Sequence, residues 1–192
     1  MSKRSIKYLL ITLLVFFSSC ALPRKPNLDE MLRVKRLIEE ARIKMAAGEL
    51  DEAESYINLA QEIYPQDVVV LDAKGCLAWR RKLNDLAESY FKEALLLDPT
   101  FENSYVNLAI VVEQRGDVLG ARRLLKKALE LNPLNHKARN NYAGILFDYA
   151  LTREERDSAR KELSKAVHSA PELDGVLKYN VDKFNRSRAR LN

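Results

Sequence analysis

Pro65, Pro99 and Pro133 recur at a fixed interval of 34 residues. This period constrains the fold more than any other feature of the chain. A fixed interval of this length means one supersecondary unit stacked several times. The small residues lie on the same lattice: Ala53, Ala87 and Ala121; Ala60, Ala94 and Ala128; Ala41, Gly75, Ala109 and Ala143. Such columns have a physical cause. Two antiparallel helices approach closely only where one of them lacks a bulky side chain, so each unit needs small residues where its helices cross. The proline that follows each second helix cannot continue it and forces the chain to turn.

The periodicity and turn residues predict helix pairs over 29–46 with 50–63, 67–81 with 84–97, 101–114 with 118–131, and 135–150 with 153–169. Asn84, Thr100, Asn135 and Thr152 stand where N-caps are expected. Gly48 and Gly116 join the partners of two pairs, and Lys82 occupies the equivalent turn of a third. Short turns make the partners antiparallel. Pro133 to Pro171 is a longer interval, which places about four extra residues in the inter-helix turn near 150–157. Leu173, Leu177, Val181 and Phe184 then fall on one helical face. A last helix over 173–188 with one apolar face would close the open end of a stack.

These residues resemble the tetratricopeptide repeat. Tyr105, Leu108, Ala109, Gly116, Ala121, Ala128 and Pro133 occupy the signature places in order, and the likeness extends over 34–171. The resemblance implies an all-α fold, an α-solenoid of about four helix pairs with units 34–67, 68–101, 102–135 and 136–171, followed by a capping helix and basic tail over 172–192. It also implies a concave groove lined by the first helix of each pair. The positions that would face this groove include Ile38, Arg42 and Met45, then Val69, Ala73, Cys76 and Trp79. In the later units they are Val106, Asn107 and Ile110, then Asn140, Asn141, Gly144 and Phe147. The candidate partner-binding residues are Arg42, Cys76, Trp79, Asn107, Ile110, Asn141 and Phe147. Trp79, Ile110 and Phe147 would supply apolar anchors, and the amides of Asn107 and Asn141 could hold the backbone of a bound segment. Some members of the family clamp a partner's C-terminal carboxylate. Asn107 and Lys137 fit that pattern, but Asp72, Cys76 and Asn141 depart from it, and an acid there would repel the ligand.

The start of the chain carries a different signal. Lys3, Arg4 and Lys7 precede an apolar run from Tyr8 to Phe17 that is short for a membrane span. Phe17-Ser18-Ser19-Cys20 resembles a lipoprotein processing site, which makes 1–19 a signal peptide, Cys20 the lipidated residue and 20–28 a tether. Ala21, rather than Asp, after the cysteine resembles outer-membrane sorting, so the expected location is the outer membrane facing the periplasm. Removing the signal takes three of the chain's 32 basic residues and none of its 27 acidic ones, so the net charge falls from +5 to about +2. Nucleic acid is therefore not an expected partner.

Asn140, Asn141, Tyr142 and Ala143 also resemble a segment of the tetratricopeptide lipoproteins that assist type IV pilus biogenesis and help assemble its secretin ring. The expected partners are an envelope protein client, either a secretin or pilus component or a cell-wall enzyme, together with the membrane through the lipid. A homodimer that lengthens the groove is a further expectation. His136 and His168 stand a unit apart with no nucleophile near either in sequence, and no phosphate loop or metal spacing occurs. Neither an enzyme nor a cofactor is expected.

Overall fold

A computed structural model describes residues 26–170 and 175–189. The expected signal peptide, Cys20, most of the expected tether, Pro171, Leu173 and the end of the basic tail lie outside the described residues. Helix α1 spans Leu28–Ala47, α2 Leu50–Ile63, α3 Val68–Arg80, α4 Asn84–Leu97, α5 Glu102–Gln114, α6 Val118–Leu131, α7 His136–Asp148, α8 Arg153–Ser169 and α9 Gly175–Ala189. Among the described residues every regular element is a helix. The all-α solenoid of four helix pairs is thus the observed architecture. No described helix is long and apolar enough to cross a membrane.

The expected small-residue columns sit at the crossings within each pair. Ala53, Ala87, Ala121 and Ala159 are fully buried, as are Ala60, Ala94, Ala128 and Ala166. Between these two columns runs one of larger residues: Ile57, Phe91, Leu125 and Leu163. Phe91 is the bulkiest of them, and it meets Gly75 where the other units carry Ala41, Ala109 and Ala143. A Cβ on Gly75 would stand 2.4 Å from Cε1 of Phe91. The ring and the missing methyl compensate each other, so the second unit keeps the helix separation of its neighbours.

The first helices of the pairs touch one another (α1 with α3, α3 with α5, α5 with α7), whereas the second helices do not. That asymmetry curves the stack and puts α1, α3, α5 and α7 on its inner face. Adjacent units are also tied at the surface. Arg81 reaches back to Asp51 at 2.7 Å and Glu54 at 2.9 Å, and Arg115, one period later, reaches Asp85 and Glu88. Each pair has at least one well-exposed member, so each is worth about 0–1 kcal/mol.

The ends of the helices depart from expectation at several points. Asn135 and Thr152 cap their helices through side-chain oxygens, and Thr152 forms a capping box with Glu155. Asn84 is instead the first residue of α4, after Leu83, and its Oδ1 is buried without a hydrogen-bond partner. Thr100 donates its N–H and hydroxyl to Asp98, and Phe101 takes the cap position. Asp67 and Asp117 serve as caps that the period alone does not single out. The extra residues of the fourth unit mostly lengthen α8, because the Thr152–Glu155 box starts that helix about one turn early; the turn itself runs only from 149 to 152. In the second unit Lys82 adopts the left-handed conformation (φ 65°) that Gly48 and Gly116 take in theirs, a geometry that favours glycine.

The pairing of Gly75 with Phe91 predicts a coupled response to mutation. Gly75→Ala alone should destabilise the fold by about 1–3 kcal/mol through overpacking. Phe91→Leu alone should cost about 1–3 kcal/mol through lost contacts and a void. The double variant recreates the pattern of the third unit and should be more stable than the sum implies by at least about 1 kcal/mol. Urea unfolding of the four proteins measures this.

Candidate functional site

Four helices place side chains around one depression on the inner face. On α3, Asp72, Cys76 and Trp79 follow at helical spacing and share a stripe. On α5, Asn103, Val106, Asn107 and Ile110 do the same. Arg42 enters from α1 and Lys137 from the first turn of α7. Together they line a cavity of about 320 Å³. Arg42, Cys76, Trp79, Asn107 and Ile110, all expected groove residues, meet here.

The floor of the cavity is polar. Asp72 is only 2% exposed, in a column where the first and third units carry Ile38 and Val106. Its Oδ1 accepts from the Ser104 hydroxyl at 2.8 Å and from Asn107 Nδ2 at 2.9 Å. Asn107 Nδ2 also lies 3.4 Å from the Cys76 sulfur. Burial pushes the Asp72 carboxyl above its ordinary value of 3.8, against the lowering effect of these donors and of Arg42 and Lys137. Burial likewise pushes the Cys76 thiol up, and the charge of Asp72 adds to it. Cys76 is therefore held as the thiol, which makes it a poor nucleophile.

Trp79 forms the wall. Its indole N–H donates to Gln114 Oε1 at 3.1 Å, tying α3 to the end of α5. Arg80 and Lys82 lie 5.8 Å and 5.9 Å from its ring. Arg42 is exposed at the rim and pairs loosely with Glu39 at 3.7 Å. Ile110 remains half-buried on the wall.

Other expected groove residues are placed differently. Ile38, Ala73 and Asn140 are buried in packing between helices, and Met45 and Val106, also buried, meet the cavity only from beneath its lining. Asn141 is half-buried on α7 and does not line this cavity. Phe147 is covered by α9: the Phe147 and Phe184 ring centroids are 4.1 Å apart. Asn180 of α9 donates to Asn140 Oδ1 at 2.9 Å, and Lys183 pairs with Asp148. The last helix therefore lies against the inner face of the fourth unit rather than only sealing its end, and Phe147 is an anchor for α9. Glu113 stands between Trp79 and Phe147 in the same column. Burial raises its pKa, Asp148 adds to the rise and Lys183 opposes it.

Ser104, Asn103 and Arg80 belong to the site although sequence reading did not select them. Ser104 had a signal: it is fully buried in a column where the flanking units have Val70 and Ala138. A hydroxyl in an apolar column needs a partner, and Asp72 is the polar group within its reach. Among the described residues no group of three or more His, Cys, Asp or Glu is arranged to hold a metal.

Comparison with known proteins agrees with this geometry. Residues 70–101 match the family model described as Tetratricopeptide repeat. The cellulose synthase operon protein C of Komagataeibacter sucrofermentans is 31% identical over 130 residues, covering 67% of this chain and 9% of that protein. The chain thus spans about a tenth of that relative. A thermophilic TPR protein of Thermus thermophilus superposes with a TM-score of 0.67 at 21% identity, covering 82% of this chain and 84% of that one. The first TPR domain of Spaghetti (RPAP3), solved bound to the HSP90 peptide SRMEEVD, gives a TM-score of 0.52 at 22% identity over 62% of this chain and 94% of its own. Residues 70–101 thus match one tetratricopeptide repeat, and the described helices stack as an α-solenoid of that fold.

The buried carboxyl predicts a pH-dependent mutant effect. Raising a carboxyl's folded pKa above its unfolded value makes the native state bind more protons than the unfolded state, so stability falls as pH rises through that window. Asp72→Asn keeps an oxygen for Ser104 and Asn107 and removes the charge. The variant should be more stable than the wild type at pH 7, and the difference should vanish below the unfolded value of about 3.8. Thermal melts at the two pH values measure it.

Proposed function

We propose that this chain is a membrane-anchored scaffold of the bacterial envelope that binds proteins in its concave groove, and that the client belongs to a secretin or pilus machine. The observation that carries the binding reading is the composition of the central cavity. Half-buried anchors, Trp79 and Ile110, surround a polar floor of Asp72 and Asn107, with Arg42 and Lys137 at the rim. Apolar anchors beside a few fixed polar groups are the arrangement that holds a polypeptide segment. The RPAP3 domain holds a peptide on the same fold, which supports assigning that use to the groove here.

The sequence around Cys20 supports the anchor. A lipidated cysteine confines the groove to a surface, and confinement raises the effective concentration of any envelope client. The cavity does not reproduce a carboxylate clamp. Asp72 occupies the floor, so the client should present amide or hydroxyl donors to it rather than a chain terminus.

Two measurements test the reading. Cys20→Ala should move the protein from the membrane fraction to the soluble fraction of cells. Trp79→Ala combined with Ile110→Ala should weaken client capture at least about thirtyfold, the loss expected from removing an interface anchor worth about 2 kcal/mol. Circular dichroism must show intact helicity in that variant. Undiminished capture would overturn the groove assignment. Recovery of a cell-wall enzyme rather than a ring or pilus component would replace the client.

A further inference from the structure

The first helix is longer than the other inner helices, 20 residues against 13. Its core stripe, Val34, Ile38, Ala41 and Met45, begins only at the second turn. The first turn carries another stripe. Leu28, Met31 and Leu32 fall at i, i+3 and i+4 and are 70%, 54% and 49% exposed. Lys35 and Arg36 continue the same side one turn later, and Arg33 flanks it. All three cations are exposed. Of the two acids in this turn, Glu30 is engaged by the backbone N–H of Asn27 at 2.9 Å in the capping box.

This tip lies eight residues after Cys20, with Arg24 and Lys25 between. Eight residues of chain span at most about 28 Å. The start of α1 therefore lies within about three screening lengths of the surface that holds the lipid, given a Debye length of about 8–10 Å.

We infer that the first two turns of α1 are a membrane-contact foot that seats Leu28, Met31 and Leu32 at the acyl–headgroup boundary and places Arg33, Lys35 and Arg36 among anionic lipid phosphates. The inference rests on the reading of Cys20 as lipidated. The arrangement of the residues matches the task. The apolar side chains occupy the end nearest the tether, Lys35 and Arg36 stand one turn further from it and Arg33 flanks them, and their long stems keep the charges at phosphate level. The acyl chains at Cys20 supply the anchoring. The foot supplies orientation, because a second contact restricts the tilt of the solenoid against the surface. Charge and tether length favour a lipid surface over a protein client for this patch.

The test uses the full lipidated chain reconstituted in vesicles. Met31→Cys carries a polarity-sensitive fluorophore, and a second protein carries it at Leu134→Cys, which is exposed between α6 and α7. The vesicles contain phosphatidylethanolamine with phosphatidylglycerol, or phosphatidylcholine alone, with a lipid-borne quencher; flotation is recorded in parallel. In the anionic vesicles quenching at position 31 should exceed that at 134 by at least about threefold, the difference expected between a surface-seated and a solvent position. Arg33→Glu with Lys35→Glu and Arg36→Glu should abolish that excess while flotation persists. Flotation without excess quenching at 31 would overturn the foot and leave the anchor standing. A fluorophore at 31 that is blue-shifted in the anionic vesicles yet not reached by the lipid-borne quencher would overturn it in favour of a protein covering the patch. Failure to float would overturn the anchor and the foot together.

Discussion

The close approach of paired helices at alanine is the constraint on which the rest of this structure depends. Eight alanines in two columns are fully buried at the crossings, and nothing larger fits there without pushing the helices apart. With that separation fixed, the bulk of each unit is carried by a single larger residue between the columns, and Phe91 opposite Gly75 shows how tightly the two are coupled. Uniform pairs stack uniformly. The inner helices then touch while the outer ones diverge, and the groove is a geometric result of that difference.

The groove is specialised by the residues that break the repeat. Asp72 and Ser104 stand in columns that are otherwise apolar in the neighbouring units, and together with Asn107 they form a polar seam between the second and third units. Burying a charge opposes folding even when it is hydrogen-bonded. Its presence under the cavity is intelligible if the seam also offers acceptors to a bound segment. A second polar seam, Asn140 with Asn180, joins the fourth unit to α9 and is closed over by the Phe147–Phe184 contact. One polar seam thus lies under an open cavity, and the other is covered by the chain itself.

Much of this was legible in the sequence because a 34-residue period fixes which residues are equivalent. The columns at 53, 60 and 41 and the four pairs follow from it, and five of the seven residues expected in the groove line one cavity. The remainder depends on contacts that a period does not encode. Phe147 stands in register with Trp79, yet its exposure is decided by where α9 lies. Asn84 and Thr100 are good caps by residue type. Their helices begin at Asn84 and Glu102 because the preceding turns, one with Lys82 at positive φ and one with Asp98 accepting from Thr100, fix the entry of the chain. The longer fourth unit looked like a longer turn, but a capping box within the inserted residues converts most of them into helix.

The central claim is that the inner face, not the outer one, is the working surface. Photocrosslinking in intact cells tests it most directly, with the reactive residue placed at Ile110 on the cavity wall and, separately, at Leu96 on the exposed side of α4. The account predicts a discrete partner band from position 110 that disappears when Trp79 is replaced by Ala, and none from position 96. A partner captured from position 96 with position 110 silent would contradict it.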